Sequence, residues 1–358
     1  MLGRGGVGTV YRARDRDSGD PVALKLLAPP PACDAGAARR LAREYEALRG
    51  LHHPNVVQVF DAGVHEGYSF LAMELVEGLD LRSYLSPAID DMGCGAAPRP
   101  PPAREVLDEL YAWSAEPETQ GLLPSDDRSW RGSGSETLRE FAEIMAEPDT
   151  DREPGAEPSD AGVPGRSSRS PPQPRPLSPA VLERLNRPQR LARLRDVLVQ
   201  VCDGLAYVHG LGLVHRDLKP SNIMVDDQRR ARIMDFGLVK LPVDPPESHC
   251  IVGTYQYMPP EQAHGEPVDP RADLYSLGVI LFEMLCGRPP FSAATPDELW
   301  EQICLDPAPA AAALNPGVDA ALSYVARRLL AKHPRERFQS ATDVAMAIRA
   351  AFAHPSRP

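Results

Sequence analysis

Paired cysteines are the first thing this chain lacks. Its six cysteines (Cys33, Cys94, Cys202, Cys250, Cys286, Cys304) are scattered over 358 residues with no CxxC among them. That spacing fits neither a zinc site nor a disulfide framework, and reads as reduced thiols of a cytoplasmic protein. Long apolar runs are absent too. No stretch reaches the roughly 18 consecutive apolar residues of a membrane-spanning helix, and no signal peptide is expected ahead of the first motif. A basic excess is also lacking: the net charge of −11 argues against a nucleic-acid binder with a general basic face. What is there is ordinary for a soluble globular protein, at 42% hydrophobic and 25% charged residues. The length suits two domains or lobes with a sizeable core.

The acidity is local. Between Ser86 and Pro179 stand 18 acidic and 9 basic side chains, together with 16 of the 39 prolines. The remainder of the chain is close to neutral, so the overall charge says little about it. The segment holds Pro98 to Pro102, Gly132-Ser133-Gly134-Ser135 and Pro171-Pro172-Gln173-Pro174. Such composition buries too little apolar surface to offset the entropy of ordering. Two stretches within it have helical character, Arg104 to Trp113 and Glu136 to Met145. Residues 86–186 therefore read either as a largely disordered surface insertion or as a docking element whose amphipathic stretches bind a partner or the rest of the chain.

Glycine chemistry opens the chain. Gly3-Arg4-Gly5-Gly6-Val7-Gly8-Thr9-Val10 fits a dinucleotide loop or a hairpin over nucleotide phosphates. A dinucleotide fold needs a helix directly after the glycines. Instead, Val10 to Arg14 alternates like a strand, Asp17 to Asp20 reads as a turn, and a second strand follows at Pro21 to Leu27. Alternation sends Ala23 and Lys25 of Val22-Ala23-Leu24-Lys25 to one face. Only Met1 and Leu2 precede the loop, so a shortened first strand and a frayed glycine loop are expected. Helical periodicity from Ala37 to Gly50 (Leu41, Tyr45, Leu48) and strands at Val56–Asp61 and Tyr68–Leu75 continue the pattern. Leu81 to Leu85 reads as a short helix and Leu191 to Leu211 as a longer one.

The richest stretch is His215-Arg216-Asp217-Leu218-Lys219-Pro220-Ser221-Asn222, followed by Asp235-Phe236-Gly237. Two aspartates, a lysine and an asparagine at these spacings match what phosphoryl transfer from ATP requires. With the glycine loop and the strand lysine, they make the chain resemble a bacterial, eukaryotic-like Ser/Thr protein kinase. The resemblance covers nearly all of the chain except the acidic segment.

The resemblance implies an α+β, bilobal fold: a small antiparallel sheet with one helix, then a mainly helical lobe. It divides the chain into an N-lobe at 1–76, a C-lobe at 77–85 and 187–352, the insertion at 86–186 and a tail at 353–358. It makes Asp217 the catalytic base and Lys219 the cation on the γ-phosphate. Lys25 would reach the α- and β-phosphates, oriented by Glu44. Asn222 and Asp235 would hold Mg²⁺, with Mn²⁺ as an alternative metal. The nucleotide site would comprise Leu2, Gly3, Gly5, Gly8, Val10, Ala23, Lys25, the gatekeeper Met73, and Glu74 and Val76 of the hinge. Asp80 falls where such kinases place an acid on the ribose, although a lone acid at a helix start also reads as a cap.

His215 and Phe236 are implied to be structural, along with Leu48 and Val59. Asp273 is the implied anchor of the catalytic loop. Glu261, in Pro259-Pro260-Glu261, is expected to pair with Arg337. Arg216 is the type of residue that binds an activation-segment phosphate, with Ser248 as the phosphosite or simply a solvated serine. Thr254 of Gly253-Thr254 and the lysine of Asp217-Leu218-Lys219 point to Ser/Thr rather than Tyr specificity. Protein substrates carrying Ser/Thr hydroxyls are the implied partners, with no nucleic acid and no membrane segment. Two other functions are weighed beside the active enzyme: a pseudokinase scaffold acting through the acidic insertion, and a small-molecule phosphotransferase. No catalytic position is lost, which argues against the first. The Pro-Glu motif and activation segment argue against the second.

Overall fold

The computed structural model describes residues 1–5, 8–27, 48, 50–65, 68–86, 177–236, 255–293 and 295–353. Several expectations fall outside those residues: Glu44 and its helix, the acidic segment from 87 to 176, Gly237, Ser248 and Thr254.

The N-terminal part is a five-stranded antiparallel sheet in the order β1-β2-β3-β5-β4. Its strands are β1 (Gly3–Gly5), β2 (Gly8–Arg14), β3 (Pro21–Leu27), β4 (Val59–His65) and β5 (Tyr68–Glu74). β1 is short and is paired along its length with β2; Leu2 N adds a bond to Val10 O at 2.8 Å. Val22 and Ala23 of β3 point to opposite faces of the sheet and both are buried, and Ala23 lies opposite Met73 of β5.

β4 begins later than the Val56–Asp61 run expected from the sequence. Val56 and Val57 are buried, but they face the other lobe: Val57 N donates to Ile233 O and Ile233 N to Asn55 O, both at 2.9 Å. A strand-like apolar run has been recruited as a seam between lobes. Asn55 closes that seam by donating Nδ2 to Gln200 Oε1 and Ala231 O.

After the first sheet the chain forms β6 (Gly78–Asp80) and α1 (Leu81–Tyr84), then resumes at α2 (Pro179–Leu185) and α3 (Pro188–Gly210). β6 pairs with β7 (Ile223–Asp226), which pairs with β8 (Ala231–Ile233), in a three-stranded sheet. Gly78 is required there, because a Cβ would lie 2.1 Å from Val225 O. The helical lobe starts at Pro179, ahead of the boundary expected at 187. Ser178 caps α2, Pro179 fills its first position, and Leu185 is buried. The Pro-rich composition upstream hid this start, since proline, unfavourable inside a helix, is favoured at a helix N-terminus.

The remaining helices are α4 (Pro260–Ala263), α5 (Arg271–Cys286), α6 (Pro296–Leu305), α7 (Ala311–Leu314), α8 (Ala320–Leu329) and α9 (Ala341–Ala353). α5 is the pillar of the lobe. Every residue from Ala272 to Cys286 is buried, which fits a helix apolar all round and enclosed by others. Gly287 ends it in the left-handed conformation at φ 67°. α8 packs on α5, and α9 packs on α3. Among the described residues no helix is long and apolar enough to cross a membrane.

Candidate active site

Three structural accidents of chemistry meet where the two lobes join: a strand lysine, a rigid loop and a left-handed aspartate. Lys25 lies in the middle of β3, opposite Val10 on one side and Leu71 on the other. Its Nζ sits 3.0 Å from Asp235 Oδ1, with both side chains largely enclosed. Asp235 has φ 52° and Arg216 φ 64°, conformations rarely adopted by non-glycine residues and held only where surrounding contacts over-determine them.

Those contacts are specific. Asp273, at the start of α5 and 1% exposed, turns its carboxylate under the loop. Oδ2 accepts from His215 N at 2.8 Å and Oδ1 from Arg216 N at 2.9 Å. His209 Nε2, at the end of α3, reaches the same Oδ2 at 2.8 Å. The His215 ring then ties the loop to the segment bearing Asp235. Its Nδ1 accepts from Asp217 N at 3.2 Å, its Nε2 meets Met234 O at 2.8 Å, and its ring centroid lies 4.7 Å from that of Phe236. His215 is fully buried, and Leu48, Val59 and Phe236 share one core cluster.

On this frame the reactive side chains converge. Asn222 donates Nδ2 to Asp217 O at 2.9 Å and to Asp217 Oδ2 at 3.3 Å. Lys219 Nζ stands 3.3 Å from the same Oδ2. Two donors therefore share one oxygen of Asp217, which holds the carboxylate in a fixed direction. Committing Nδ2 of Asn222 to Asp217 leaves Oδ1 with a long 3.5 Å contact from Ser221 Oγ. Asn222 Oδ1 and the Asp235 carboxylate are thus oxygen donors of the kind a hard divalent cation takes, together with phosphate oxygens. Among the described residues no group of three or more His, Cys, Asp or Glu is assembled for a metal. An amide oxygen and a carboxylate are donors that fit Mg²⁺.

Of the residues expected at the nucleotide, Met73 is 1% exposed and Ala23 is buried opposite it. The side chain of Glu74 is drawn to Arg232, whose Nε lies 3.3 Å from Oε1. Val76 is partly buried against the core. Asp80 caps α1: its Oδ1 accepts from Ser83 N at 3.0 Å and its Oδ2 from Ser83 Oγ at 2.9 Å. The cap is the role visible for it. Gly3, Gly5 and Gly8 lie on the β1–β2 hairpin, in register with Val10 and its neighbours.

Glu261 and Arg337 form a buried, bidentate pair, with both N···O distances 2.7 Å. Sequence reading did not single out His209. Its only local signal was a histidine in the last turn of a helix, a position that suits bonding to acceptors beyond the helix end. Nor did it find the buried contact of Arg82, Tyr257 and Glu283. Glu283 carried a signal all the same, as a charge inside a helix otherwise built for the core.

The protein kinase domain family model matches residues 1–95 and 181–352. The serine/threonine-protein kinase PknD of Mycobacterium tuberculosis is 29% identical over 355 residues, covering 98% of this chain and 39% of PknD. PknB of the same organism is 27% identical over 353 residues, covering 96% of this chain and 41% of PknB. The chain thus spans less than half the length of these relatives. The crystal structure of the Mycobacterium tuberculosis PknI kinase domain superposes with a TM-score of 0.54 at 23% identity, covering 98% of this chain and 93% of that one.

Proposed function

We propose that this chain, which belongs to the protein kinase domain family, is an ATP-dependent Ser/Thr protein kinase. The observation that carries the reading is the Asp217 carboxylate, directed by Asn222 Nδ2 and Lys219 Nζ in a loop suspended from Asp273. Phosphoryl transfer asks for positioning and charge neutralisation more than for covalent chemistry. Asp217 orients the substrate hydroxyl and accepts its proton. Lys219, two residues on, faces the transferred phosphoryl group. Lys25 holds the α- and β-phosphates, and its contact with Asp235 at 3.0 Å directs it into the cleft. Asn222 and Asp235 supply oxygens to Mg²⁺, which when bound neutralises charge on the nucleotide phosphates. Ala23, Met73 and the hinge backbone of Glu74 to Val76 receive the adenine. The Asp217-Leu218-Lys219 order supports Ser/Thr acceptors. Arg216 would receive a phosphate on the segment that includes Ser248. The cytoplasm is the proposed compartment.

The test is Mg·ATP-dependent autophosphorylation of the chain beside Asp217→Asn. The asparagine keeps the shape and loses the base, so incorporation should fall by about 10²–10⁴-fold, with phosphoserine and phosphothreonine as the only products of the wild type. Wild-type incorporation no higher than that of the variant would sink the reading.

A further inference from the structure

One buried ionic cluster in the lower lobe is not used by the chemistry above. Glu283 lies three residues before the end of α5, and its side chain is fully enclosed. Oε1 accepts from Arg82 Nε at 2.8 Å, and Oε2 accepts from the Tyr257 hydroxyl at 2.5 Å. Arg82 also donates to the Tyr257 hydroxyl through a second guanidinium nitrogen. The three side chains close a triangle across three elements. Arg82 belongs to α1, directly after the nucleotide hinge and β6. Glu283 belongs to the core pillar. Tyr257 belongs to the segment directly ahead of Pro259-Pro260-Glu261.

That segment faces the reacting centre. Tyr257, Met258, Gln262, Arg216, Asp217 and Ser276 line one small cavity beside the catalytic loop. Ser276 Oγ fixes the Tyr257 backbone by donating to its carbonyl at 2.7 Å. Gln262 Nε2 reaches Arg216 O at 3.3 Å. A displacement of Tyr257 would therefore be felt at the wall next to Asp217.

The electrostatics say which member holds the triangle together. Burial pushes the Glu283 carboxyl above its ordinary range, against the pull of Arg82 and of the Tyr257 hydroxyl. The Tyr257 phenol is likewise pushed up, first by burial and then by the Glu283 charge. Arg82 supplies the positive charge of the cluster, and about a quarter of its side chain still reaches solvent. A buried carboxylate left without its cation is strongly destabilised. Both oxygens of Glu283 are already taken within the chain, so its role is that of a strut.

We propose that Arg82 is a positioning residue for the protein acceptor: it clamps Tyr257 to Glu283 and so couples the helix after the nucleotide hinge to the wall of the acceptor site. This rests on the kinase reading. The test measures dephosphorylated casein and ATP separately as varied substrates for wild type, Arg82→Lys, Arg82→Met and the double variant Arg82→Met/Glu283→Gln. In Arg82→Met, kcat/KM for casein should fall by about 10–100-fold, while KM for ATP stays within about two-fold. Arg82→Lys, which keeps the charge, should recover part of the loss. Should Arg82→Met fail to fold, the double variant, which removes the buried charge together with its partner, carries the same casein-against-ATP readout. Equal losses for casein and ATP, or no loss for casein in a folded variant, would overturn the proposal. An inactive wild type would instead overturn the kinase reading on which it stands.

Discussion

Replacing Arg337 with methionine should be among the most damaging single changes available to this fold outside the catalytic residues. Arg337 is fully buried and Glu261 is 6% exposed. Their pair is bidentate at 2.7 Å, and the guanidinium also donates to the carbonyls of Ala331, Arg271 and Lys332. It rests 4.9 Å from the centroid of the Tyr275 ring. Methionine keeps much of the volume and removes every donor. Stranding one partner of a buried pair costs about 3–5 kcal/mol, and three carbonyls losing a donor push the loss toward the upper end. A domain of this size loses roughly 2–4 °C of Tm per kcal/mol, so the variant should melt roughly 6–20 °C lower. The decisive comparison is Glu261→Gln/Arg337→Met, followed by thermal unfolding beside both single variants. If the stranded charge is the main cause, the double variant should recover about 1–4 kcal/mol relative to Arg337→Met. A fall of less than about 3 °C in the single variant, or a double variant that melts below it, would refute the reasoning.

Two further outcomes follow from packing and charge. Gly278→Ala lies in the interior of α5, where alanine gains about 1 kcal/mol of helix propensity. The added Cβ would, however, meet Leu329 Cβ at 2.6 Å and Leu329 C at 3.2 Å, and overpacking costs about 1–3 kcal/mol. Tm should therefore fall, whereas Gly210→Ala, with nothing within 4 Å, should leave it level or higher; a rise in Gly278→Ala would count against the packing account. Lys332 is held down to about 8, first by burial and against the pull of Cys304 and Asp306, with Arg337 adding to the depression. Between pH 8 and the ordinary lysine value of 10.5 the unfolded chain binds more protons at this site than the folded one. This residue's contribution to stability therefore rises with pH across that window. The chain has four lysines, Lys25, Lys219, Lys240 and Lys332, so ¹³C-dimethylated protein gives a spectrum simple enough to assign. A Lys332 midpoint near that of free lysine would contradict the buried environment.

Legibility in the sequence followed the range over which each function is encoded. His215 to Asn222 could be read because the chemistry demands several side chains within one loop, so their spacing is itself a signal. Glu261 and Arg337 were legible one at a time, through short motifs at either end of the lobe. The β4 boundary was not, because Val56 and Val57 are apolar in either role. Hydrophobicity tells that a residue is buried but not whether a β5 strand or Ile233 covers it. The start of α2 was obscured by composition averaged over a long acidic segment, although Ser178-Pro179 is a local start signal. The partner expected for Lys25, Glu44, lies outside the described residues, and the contact present is with Asp235 at 3.0 Å. Arg82 and Glu283 are about 200 positions apart. No periodicity links them, and only the cost of a charge inside an apolar helix hinted that such a partner must exist.

The distribution of buried acids explains how loops can perform chemistry that needs fixed geometry. Asp273 and Glu283 sit ten residues apart on α5, roughly 15 Å along one helix. Asp273 holds the backbone of the catalytic loop, and Glu283 holds α1 and the segment facing Asp217. Arg337 joins the same helix through the Arg271 carbonyl while it grips Glu261. Asp217, Lys219 and Asn222, the residues proposed to do the chemistry, thus stand on irregular chain, yet their loop is bonded to a helix that is buried on every side and has little room to move. A change within α5 should therefore alter catalysis without touching nucleotide or acceptor. The direction of that effect depends on which carboxylate it disturbs: near Asp273 it acts on the turnover of bound reactants, and near Glu283 on the fit of the acceptor.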